Sequence, residues 1–364
     1  MTTFTYTTIN PPGSTYTIAN DINNKGQIVG FYQGGSLIED GFLDSGGQYT
    51  TIDPPGSVET IAYSINDSGQ IIGWYFGSGT HQLGFLDSGG VYTTIDPPGS
   101  IFTEPTSINA SGQIVGNYRD AAGADHAFLY SGGTYATLNF PGAIATYVNG
   151  INKGGEIAGF YRDASGREHG FFDNNGTYTS IDAPASYNTR VTGINNKGEL
   201  VGYFQETSGG LPQSFIYNDG TYTILDFPGA VDTVGFSIND HGQVAGYYQN
   251  GTNNSVTSQH AFVYSSGQYT TIDTTPTSLG NTAYSINDAG QVVGFDNNSI
   301  TNLGLLATPT TGHDAIQNNT SLGQLVQAMA SFSPTIPGSA SSVLSQTHDD
   351  LLAHTDNLAP PLKG

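Results

Sequence analysis

The 364-residue chain repeats one pattern seven times, and this repeat constrains the fold more than any other feature of the sequence. Each copy carries an Ile-Asn pair that is followed by a Gly and a short apolar run. The Asn residues of these pairs are Asn23, Asn66, Asn109, Asn152, Asn195, Asn239 and Asn287. They are 43, 43, 43, 43, 44 and 48 positions apart. A period of about 40 to 50 residues made of short strand-like segments is typical of propeller blades rather than of helical repeats.

Each copy contains four strand-like segments, which in the second copy are residues 57–66, 70–75, 83–87 and 92–96. Tight turns containing Gly join the first segment to the second and the third to the fourth. The fourth segment ends at Pro97-Pro98-Gly99, because proline has no N–H to donate to a sheet. The sequence therefore predicts two β-hairpins per copy and an all-β fold.

The two ends of the repeat region complement each other. A fourth-strand pattern begins at Tyr6, before the first Ile-Asn pair, and none follows Gly294. Residues 3–9 should therefore pair beside residues 303–307 and complete the last copy from both chain ends, which leaves no unpaired strand at the seam. We predict a seven-bladed β-propeller with four strands per blade, formed by residues 1–307.

Residues 308–364 form a tail of different composition, in which Ser, Thr, Pro and Ala replace the repeat pattern. Its apolar residues at 322, 325, 326 and 329 have the spacing of a short amphipathic helix, and a second candidate helix covers residues 342–354. We predict a C-terminal tail that is partly helical or disordered.

Two tripeptides connect the repeats to a known family. His126-Ala127-Phe128 and His260-Ala261-Phe262, together with Ile-Asn-x-x-Gly-Gln-Ile-Val-Gly, resemble the bacterial "probable extracellular repeat, HAF family". The resemblance covers residues 1–307, although several copies lack the His, as in Leu83-Gly84-Phe85. Membership would imply an exported bacterial protein and would fix no activity.

Charge and composition exclude several functions. The formal net charge of −22 disfavours nucleic acids and anionic membranes as partners. The absence of cysteine excludes thiol catalysis and disulfides. Residues 1–10 show no signal peptide, and no apolar run suggests membrane insertion, so we expect an extracellular monomer exported by a type I-like route.

No cofactor is expected. The eight histidines form no His-x-His or His-x-x-x-His pair that would suggest zinc. Acidic residues recur at the ends of the fourth strands, as at Asp53 and Asp96, and make calcium possible. Such carboxylates more often close an Asx turn than bind calcium.

The segments of variable length indicate where a ligand would bind. The two hairpins of each copy keep their length, whereas the connections from second to third strand and from fourth strand to the next copy do not. In an up-and-down blade these variable connections share one edge. Variable residues that begin the first strands near this edge, with Trp74 from a second strand, would contact a ligand; they are Tyr16, Glu59, Phe102, Glu104, Tyr147, Asn188, Arg190 and Asp232.

All four arginines of the chain, Arg119, Arg162, Arg167 and Arg190, map to this edge on adjacent copies. Guanidinium groups held together in so acidic a chain suggest a bound carboxylate or sulfate, which they would grip in bidentate fashion. The alternative is that they form salt bridges with Asp120, Asp163 and Glu168.

Three functions are compatible with these residues. The first is a secreted, lectin-like propeller that binds an acidic glycan or a protein partner through the variable connections, with Tyr16, Trp74, Phe102 and Tyr147 stacking on the sugar. The second is a lyase for uronate-containing polysaccharide, in which Arg190 neutralises the carboxylate. Its acid and base would come from His126, His169 or Tyr147. The third is a structural or adhesion module without a pocket.

Overall fold

A computed structural model describes residues 2–35, 38–79, 81–252, 255–274, 280–298 and 301–310. These residues form 28 strands and no α-helix. Residues Thr3–Thr308 make one compact unit. The candidate helices at 322–329 and 342–354 lie outside the described residues.

Each copy of the repeat contributes four strands in order. The first strands are β2 (Tyr16–Ile22), β6 (Glu59–Ile65), β10 (Ser100–Ile108), β14 (Ala145–Ile151), β18 (Asn188–Ile194), β22 (Asp232–Ile238) and β26 (Thr282–Ile286). The second strands are β3 (Gln27–Gln33), β7 (Gln70–Phe76), β11 (Ile114–Asp120), β15 (Ile157–Arg162), β19 (Leu200–Gln205), β23 (Val244–Thr252) and β27 (Val292–Asn298). The third strands are β4 (Glu39–Ser45), β8 (Gln82–Ser88), β12 (Asp125–Ser131), β16 (Glu168–Asn174), β20 (Gln213–Asn218), β24 (Ser255–Ser265) and β28 (Thr301–Thr310). The fourth strands are β5 (Gln48–Ile52), β9 (Tyr92–Ile95), β13 (Thr134–Leu138), β17 (Thr177–Ile181), β21 (Thr221–Leu225), β25 (Gln268–Ile272) and, from the N-terminus, β1 (Thr3–Ile9).

Neighbouring strands within a copy pair antiparallel, as β14, β15, β16 and β17 do. The all-β class and the four-stranded sheets predicted from the sequence are thus confirmed. β1 pairs with β28, so the strand before the first copy joins the strands of the last one. Thr5 Oγ1 donates to Thr308 O at 3.3 Å across this pair.

A closed cycle of hydrogen bonds joins the seven copies. The side-chain amide of each repeat Asn donates to the backbone carbonyl of the next repeat Asn, at 2.9–3.1 Å, and Asn287 donates to Asn23. Each of these side chains is 4–5% exposed. Because Asn287 and Asn23 are 264 residues apart in sequence, this bond brings the last copy next to the first.

The core lies between consecutive copies. The third-strand Phe is 0–1% exposed wherever it occurs, as at Phe171, and Leu305 replaces it in the last copy. Phe171 packs with Val115 and Ala127 of the preceding copy and with Val148 and Ile157 of its own. Burial of such a ring stabilises the fold by about 2–3 kcal/mol. The Phe of the tripeptide therefore holds two sheets together, and its neighbouring His is not needed for this purpose.

Candidate functional site

The variable connections lie at one edge of every sheet. Because four consecutive antiparallel strands alternate in direction, the two hairpins of a copy share one edge and the other two connections share the opposite edge. We call the second edge the variable edge. Its connection is four residues long between β11 and β12 and seven residues long between β19 and β20. All four arginines lie near this edge: Arg119 is the penultimate residue of β11, Arg162 ends β15, Arg167 follows β15 and Arg190 is the third residue of β18.

Three of the four arginines are paired with carboxylates. Arg119 Nε donates to Asp125 Oδ1 at 2.7 Å. Arg162 Nη2 and Arg190 Nη2 donate to Glu168 Oε1 at 3.0 and 2.8 Å. The side chain of Glu168 is 9% exposed, which places the shared carboxylate inside the structure. Three guanidinium groups therefore surround two carboxylates.

Two aromatic rings complete this network. Tyr147 donates its hydroxyl to Asp125 Oδ2 at 2.6 Å, and its ring stacks on Phe160 with centroids 4.7 Å apart. The guanidinium of Arg190 lies 4.6 Å from the centroid of Phe160, where a cation–π contact adds to the ion pair. Burial and the neighbouring Asp125 carboxylate raise the pKa of Tyr147 well above its usual value. Since this tyrosine is 2% exposed, its predicted stacking on a ligand is wrong.

The salt-bridge alternative describes this network better than an open anion pocket does. Glu168 is a partner as expected, but Arg119 binds Asp125 instead of Asp120. Asp120 and Asp163 face histidines instead. The difference follows from strand geometry, because adjacent side chains on a strand point to opposite faces.

Arg167 differs from the other three arginines. Its Nε donates to the backbone oxygen of Tyr187 at 2.9 Å and its Nη2 to that of Ser186 at 3.1 Å. Its guanidinium lies 4.9 Å from the centroid of the Tyr187 ring, which is 38% exposed. Among the described residues no carboxylate pairs with Arg167 in an ion bridge. Its charge is therefore available at the variable edge beside an accessible aromatic ring.

The histidines of the proposed lyase lie apart from the arginine network. His126 Nε2 is 3.1 Å from Asp120 Oδ2, and His169 Nδ1 is 2.9 Å from Asp182 Oδ1. Each imidazole stacks on a tyrosine of the second strand, with centroids 5.0 and 5.1 Å apart. His126 follows Asp125 on β12 and so faces away from the arginines. The structure therefore does not assemble the predicted set of His126, His169, Tyr147 and Arg190.

The predicted aromatic stacking platform is mostly covered. Trp74 is 4% exposed and meets Phe76 with centroids 5.7 Å apart. Tyr16 is half-buried between Phe31 and Phe295, at 6.1 and 5.5 Å. Phe102 keeps intermediate exposure. The expectation that Trp74 stacks on a sugar is wrong, because the neighbouring copies bury both faces of the strands that carry these rings.

Two of the predicted polar residues begin first strands, β18 and β6. Asn188 supports the arginine network, since its Oδ1 accepts the backbone N–H of Glu168 at 3.1 Å and its Nδ2 donates to Gln205 at 3.2 Å. Glu59 is half-buried at the start of β6, and burial raises the pKa of its carboxyl.

The other two predicted carboxylates are buried. Glu104 and Asp232 are 6% and 5% exposed. Burial raises the pKa of Glu104 to about 8 and that of Asp232 to about 6. Asp232 Oδ1 makes no hydrogen bond within the described part of the chain. Both groups would need access through the interior to meet a ligand, so they do not belong to an open surface site.

We expect the Glu104→Gln variant to lose the part of the pH dependence of stability that this carboxyl causes. Because its folded-state pKa of about 8 exceeds the ordinary 4.5, the contribution of Glu104 to stability is fully present below pH 4.5 and is lost as the pH rises through 8. The free energy of unfolding of the variant relative to the wild type should therefore rise by on the order of 4 kcal/mol between about pH 5 and about pH 9. Urea unfolding followed by circular dichroism measures the difference at each pH. An equal difference in unfolding free energy between variant and wild type at both pH values would contradict the raised pKa of Glu104.

The acidic residues at the ends of the fourth strands close turns. Asp53 and Asp96 each accept a hydrogen bond from the serine four residues later, Ser57 and Ser100. Within the described ranges, no group of three or more His, Cys, Asp or Glu residues is placed to hold a metal ion. The same residues contain no helix long and apolar enough to cross a membrane. That the chain needs no cofactor stays a prediction.

Comparison with known proteins identifies the class of fold. No protein-family model matches the chain, and no curated protein matches it. The chain is similar to a prolyl endopeptidase, with a TM-score of 0.59 and 10% identity over 82% of this chain and 51% of that one. It is also similar to the BP39L lectin from Burkholderia pseudomallei, with a TM-score of 0.50 and 12% identity over 82% and 97%. The Aleuria aurantia lectin in complex with Fucα1-6GlcNAc follows at a TM-score of 0.41 and 13% identity, over 72% and 96%.

These likenesses concern the fold. The similar structures are β-propeller lectins and related propellers, and the chain spans about half the length of the prolyl endopeptidase. At 10–15% identity none of them assigns a ligand or an activity. The resemblance to the HAF family stays a prediction, since no family model supports that label.

Proposed function

We propose that the chain is a secreted, non-catalytic seven-bladed β-propeller that binds a glycan through its variable edge and prefers an acidic sugar. The observation that carries the proposal is the pairing of Arg167 with the exposed ring of Tyr187. Arg167 offers a positive charge that no described carboxylate neutralises, and the partly exposed aromatic ring of Tyr187 can pack against the apolar face of a sugar.

The closed asparagine cycle supports the count of seven blades. Seven sets of four strands meet at one cycle of seven hydrogen bonds, as expected if each set is one blade around a central axis. The BP39L protein, which has a similar fold, is a lectin. An extracellular location belongs to the same proposal and accords with the type of ligand.

The distribution of charge on the chain also supports an acidic ligand at the variable edge. The chain has 30 Asp plus Glu residues against eight Lys plus Arg, so a uronate is repelled over most of its surface. At the variable edge the guanidinium groups of Arg119, Arg162 and Arg190 lie beside the carboxylates of Asp125 and Glu168. Together with Arg167 they form the one region of the described chain where positive groups concentrate.

We expect oligogalacturonate to bind more tightly than a neutral galactose oligomer of the same length. Arg167→Gln should weaken oligogalacturonate binding about tenfold, since a charge-assisted hydrogen bond contributes about 1.5 kcal/mol or more. Tyr187→Ala should weaken the binding of both the charged and the neutral sugar. Lys25→Gln is the matched control, because it removes one positive charge from a hairpin at the opposite edge. Isothermal titration calorimetry measures each affinity.

Two results would contradict this proposal. The first is equal binding of the charged and neutral sugars, or unchanged affinity in Arg167→Gln. The second is turnover, seen as an increase in ultraviolet absorbance from an unsaturated uronate product, which would favour the lyase instead.

A protein partner is the second candidate, and an apolar arc at the variable edge favours it. Val58, Ile101, Ile144 and Tyr187 stand eight residues before the repeat Asn of four consecutive copies, and they are 53%, 49%, 59% and 38% exposed. Aligned exposed side chains of this kind are typical of interaction surfaces. Absence of binding on a glycan array that includes uronates would favour a protein partner over a glycan.

A further inference from the structure

The first strand of every copy contains a bulged residue three positions before the repeat Asn. In each case the pairing with the second strand skips one residue, as between Ala62 and Ser64. The seven bulged residues are Asn20, Tyr63, Thr106, Asn149, Thr192, Phe236 and Tyr284. Successive first strands contact one another, and β26 contacts β2, so these residues surround a common central space.

Four of the bulged residues are polar and bind the next copy. Asn20 Nδ2 donates to Ala62 O at 2.9 Å, and Asn149 Nδ2 donates to Val191 O at 2.7 Å. Thr106 and Thr192 make the same bond through their hydroxyls, at 3.0 and 2.8 Å. The remaining three positions hold aromatic rings, which the scaffold does not require there.

Two of these three rings are in contact, and the third is directed toward the same central space. Phe236 and Tyr284 belong to neighbouring copies, and their ring centroids are 6.0 Å apart. Tyr63 belongs to the second copy, yet the hydroxyl of Tyr284, from the seventh copy, contributes to raising its pKa. The first copy separates these two tyrosines in the ring, so both must point toward its centre. All three residues keep intermediate exposure despite lying among the innermost strands.

A carboxylate without a partner faces the same tyrosine. After burial itself, the negative charge of Glu104 is the largest cause of the raised pKa of Tyr63, and that of Asp21 is the next. Asp21 is fully bonded, for example to Ser64 Oγ at 2.8 Å and Ser285 Oγ at 2.7 Å. Glu104 is 6% exposed, and its carboxylate has no hydrogen bond or ion pair with another described residue.

No positive side chain of the described chain compensates Glu104. The three described lysines lie in hairpins at the edge opposite the variable one, as Lys25 does, and the arginines contact Asp125, Glu168 or backbone oxygens. A buried carboxylate without a partner is costly, and a ligand cation would offset that cost. Aromatic rings beside a carboxylate form the type of cage that binds quaternary ammonium groups.

We propose that the centre of the ring binds an organic ammonium ion, held by the rings of Tyr63, Phe236 and Tyr284 and by the carboxylate of Glu104. Direct metal binding suits this arrangement less, because a single carboxylate beside aromatic rings offers few oxygen ligands. The site is separate from the glycan site, since it uses the innermost strands rather than the variable edge.

Choline is the probe, and its neutral isostere 3,3-dimethylbutan-1-ol is the control ligand. We expect choline to bind the full chain at about pH 9, where Glu104 is ionised, and the isostere to bind at least tenfold more weakly. Glu104→Gln should reduce choline affinity about tenfold. Tyr63→Leu should reduce it similarly, while Tyr63→Phe, which keeps the ring, should retain it. Isothermal titration calorimetry measures the affinities, and circular dichroism confirms that each variant is folded.

Glu206→Gln is the matched control, because it removes a carboxylate from an exposed connection. Arg167→Gln should leave choline binding unchanged, which separates this site from the glycan site. Absence of choline binding to the wild type would overturn the proposal. Equal affinity for choline and its isostere, or unchanged affinity in the folded Glu104→Gln variant, would overturn it as well.

Discussion

Gly159→Ala is expected to destabilise the protein by about 4 kcal/mol or more. Gly159 stands seven positions after the repeat Asn, where all seven copies have Gly. A Cβ atom added there would lie 2.0 Å from the backbone oxygen of Tyr147 and 2.8 Å from the Cα of Val148. Both atoms belong to the paired first strand β14, which cannot move without breaking its own sheet. The clash cannot be relieved by turning a side chain.

Gly35→Ala is the matched control for this substitution. A Cβ at Gly35 meets no atom within 4 Å, so stability should change by no more than about 0.5 kcal/mol. Urea unfolding followed by circular dichroism measures both variants. A loss below about 1 kcal/mol in Gly159→Ala would show that the strands are not packed as closely as described.

Asn195→Ala is expected to cost about 3 kcal/mol, because it removes one member of the asparagine cycle. The amide of Asn195 donates to Asn239 O at 2.9 Å and to Glu199 Oε2 at 2.6 Å. Its oxygen accepts the backbone N–H groups of Lys197 and Glu199, both at 3.0 Å. Truncation leaves several buried polar groups without partners, and each such group costs about 1–3 kcal/mol before relaxation.

Asn196→Ala provides the comparison at the adjacent position. Asn196 also bonds to the next copy, through Asp240 at 3.0 Å, but it is exposed and water replaces the lost partner. We expect a cost of at most about 1 kcal/mol. Similar losses in the two variants, measured by urea unfolding, would contradict the structural role assigned to the buried cycle.

Much of the fold can be predicted from the repeat pattern of the sequence. The constant distance from Asn to Gly and from Phe to Tyr predicts the four strands, and the spare fourth strand at Tyr6 predicts its pairing with β28. The repeat does not predict the hydrogen-bonding role of the Asn itself. A hydrogen bond to the following copy involves residues 43 positions apart, and local sequence patterns do not show such partners.

The candidate site is less predictable for a physical reason. Along the first strand, residues such as Thr60 and Ala62 repeat between copies and are buried, as expected. The sequence predicts that the variable residues at the alternate positions face a ligand, yet Ile61 and Tyr147 are also buried. Each first strand is covered on both faces by neighbouring copies. The residues that vary between copies are therefore those that pair with a particular residue of the next copy, and their variation does not indicate exposure.

The arginine network illustrates such matching. Clustering of Arg162 and Arg190 is visible in the sequence because the repeat aligns them. Their common partner Glu168 and the separation of His169 depend on which face of β16 each side chain occupies. Sequence spacing identified the residues that come together, and strand alternation decided which of them contact each other.

The closing bond of the ring is the most direct test of this account. Asn287 donates to Asn23 O at 3.0 Å, and the backbone N–H of Asp288 donates to Asn24 Oδ1 at 2.9 Å. Nuclear Overhauser effects between the side-chain amide of Asn287 and the backbone N–H of Asn24 should therefore match those measured at the other six junctions. Six such effects with the seventh missing would mean that the copies form an open array, and the common centre and the shared variable edge would both be contradicted.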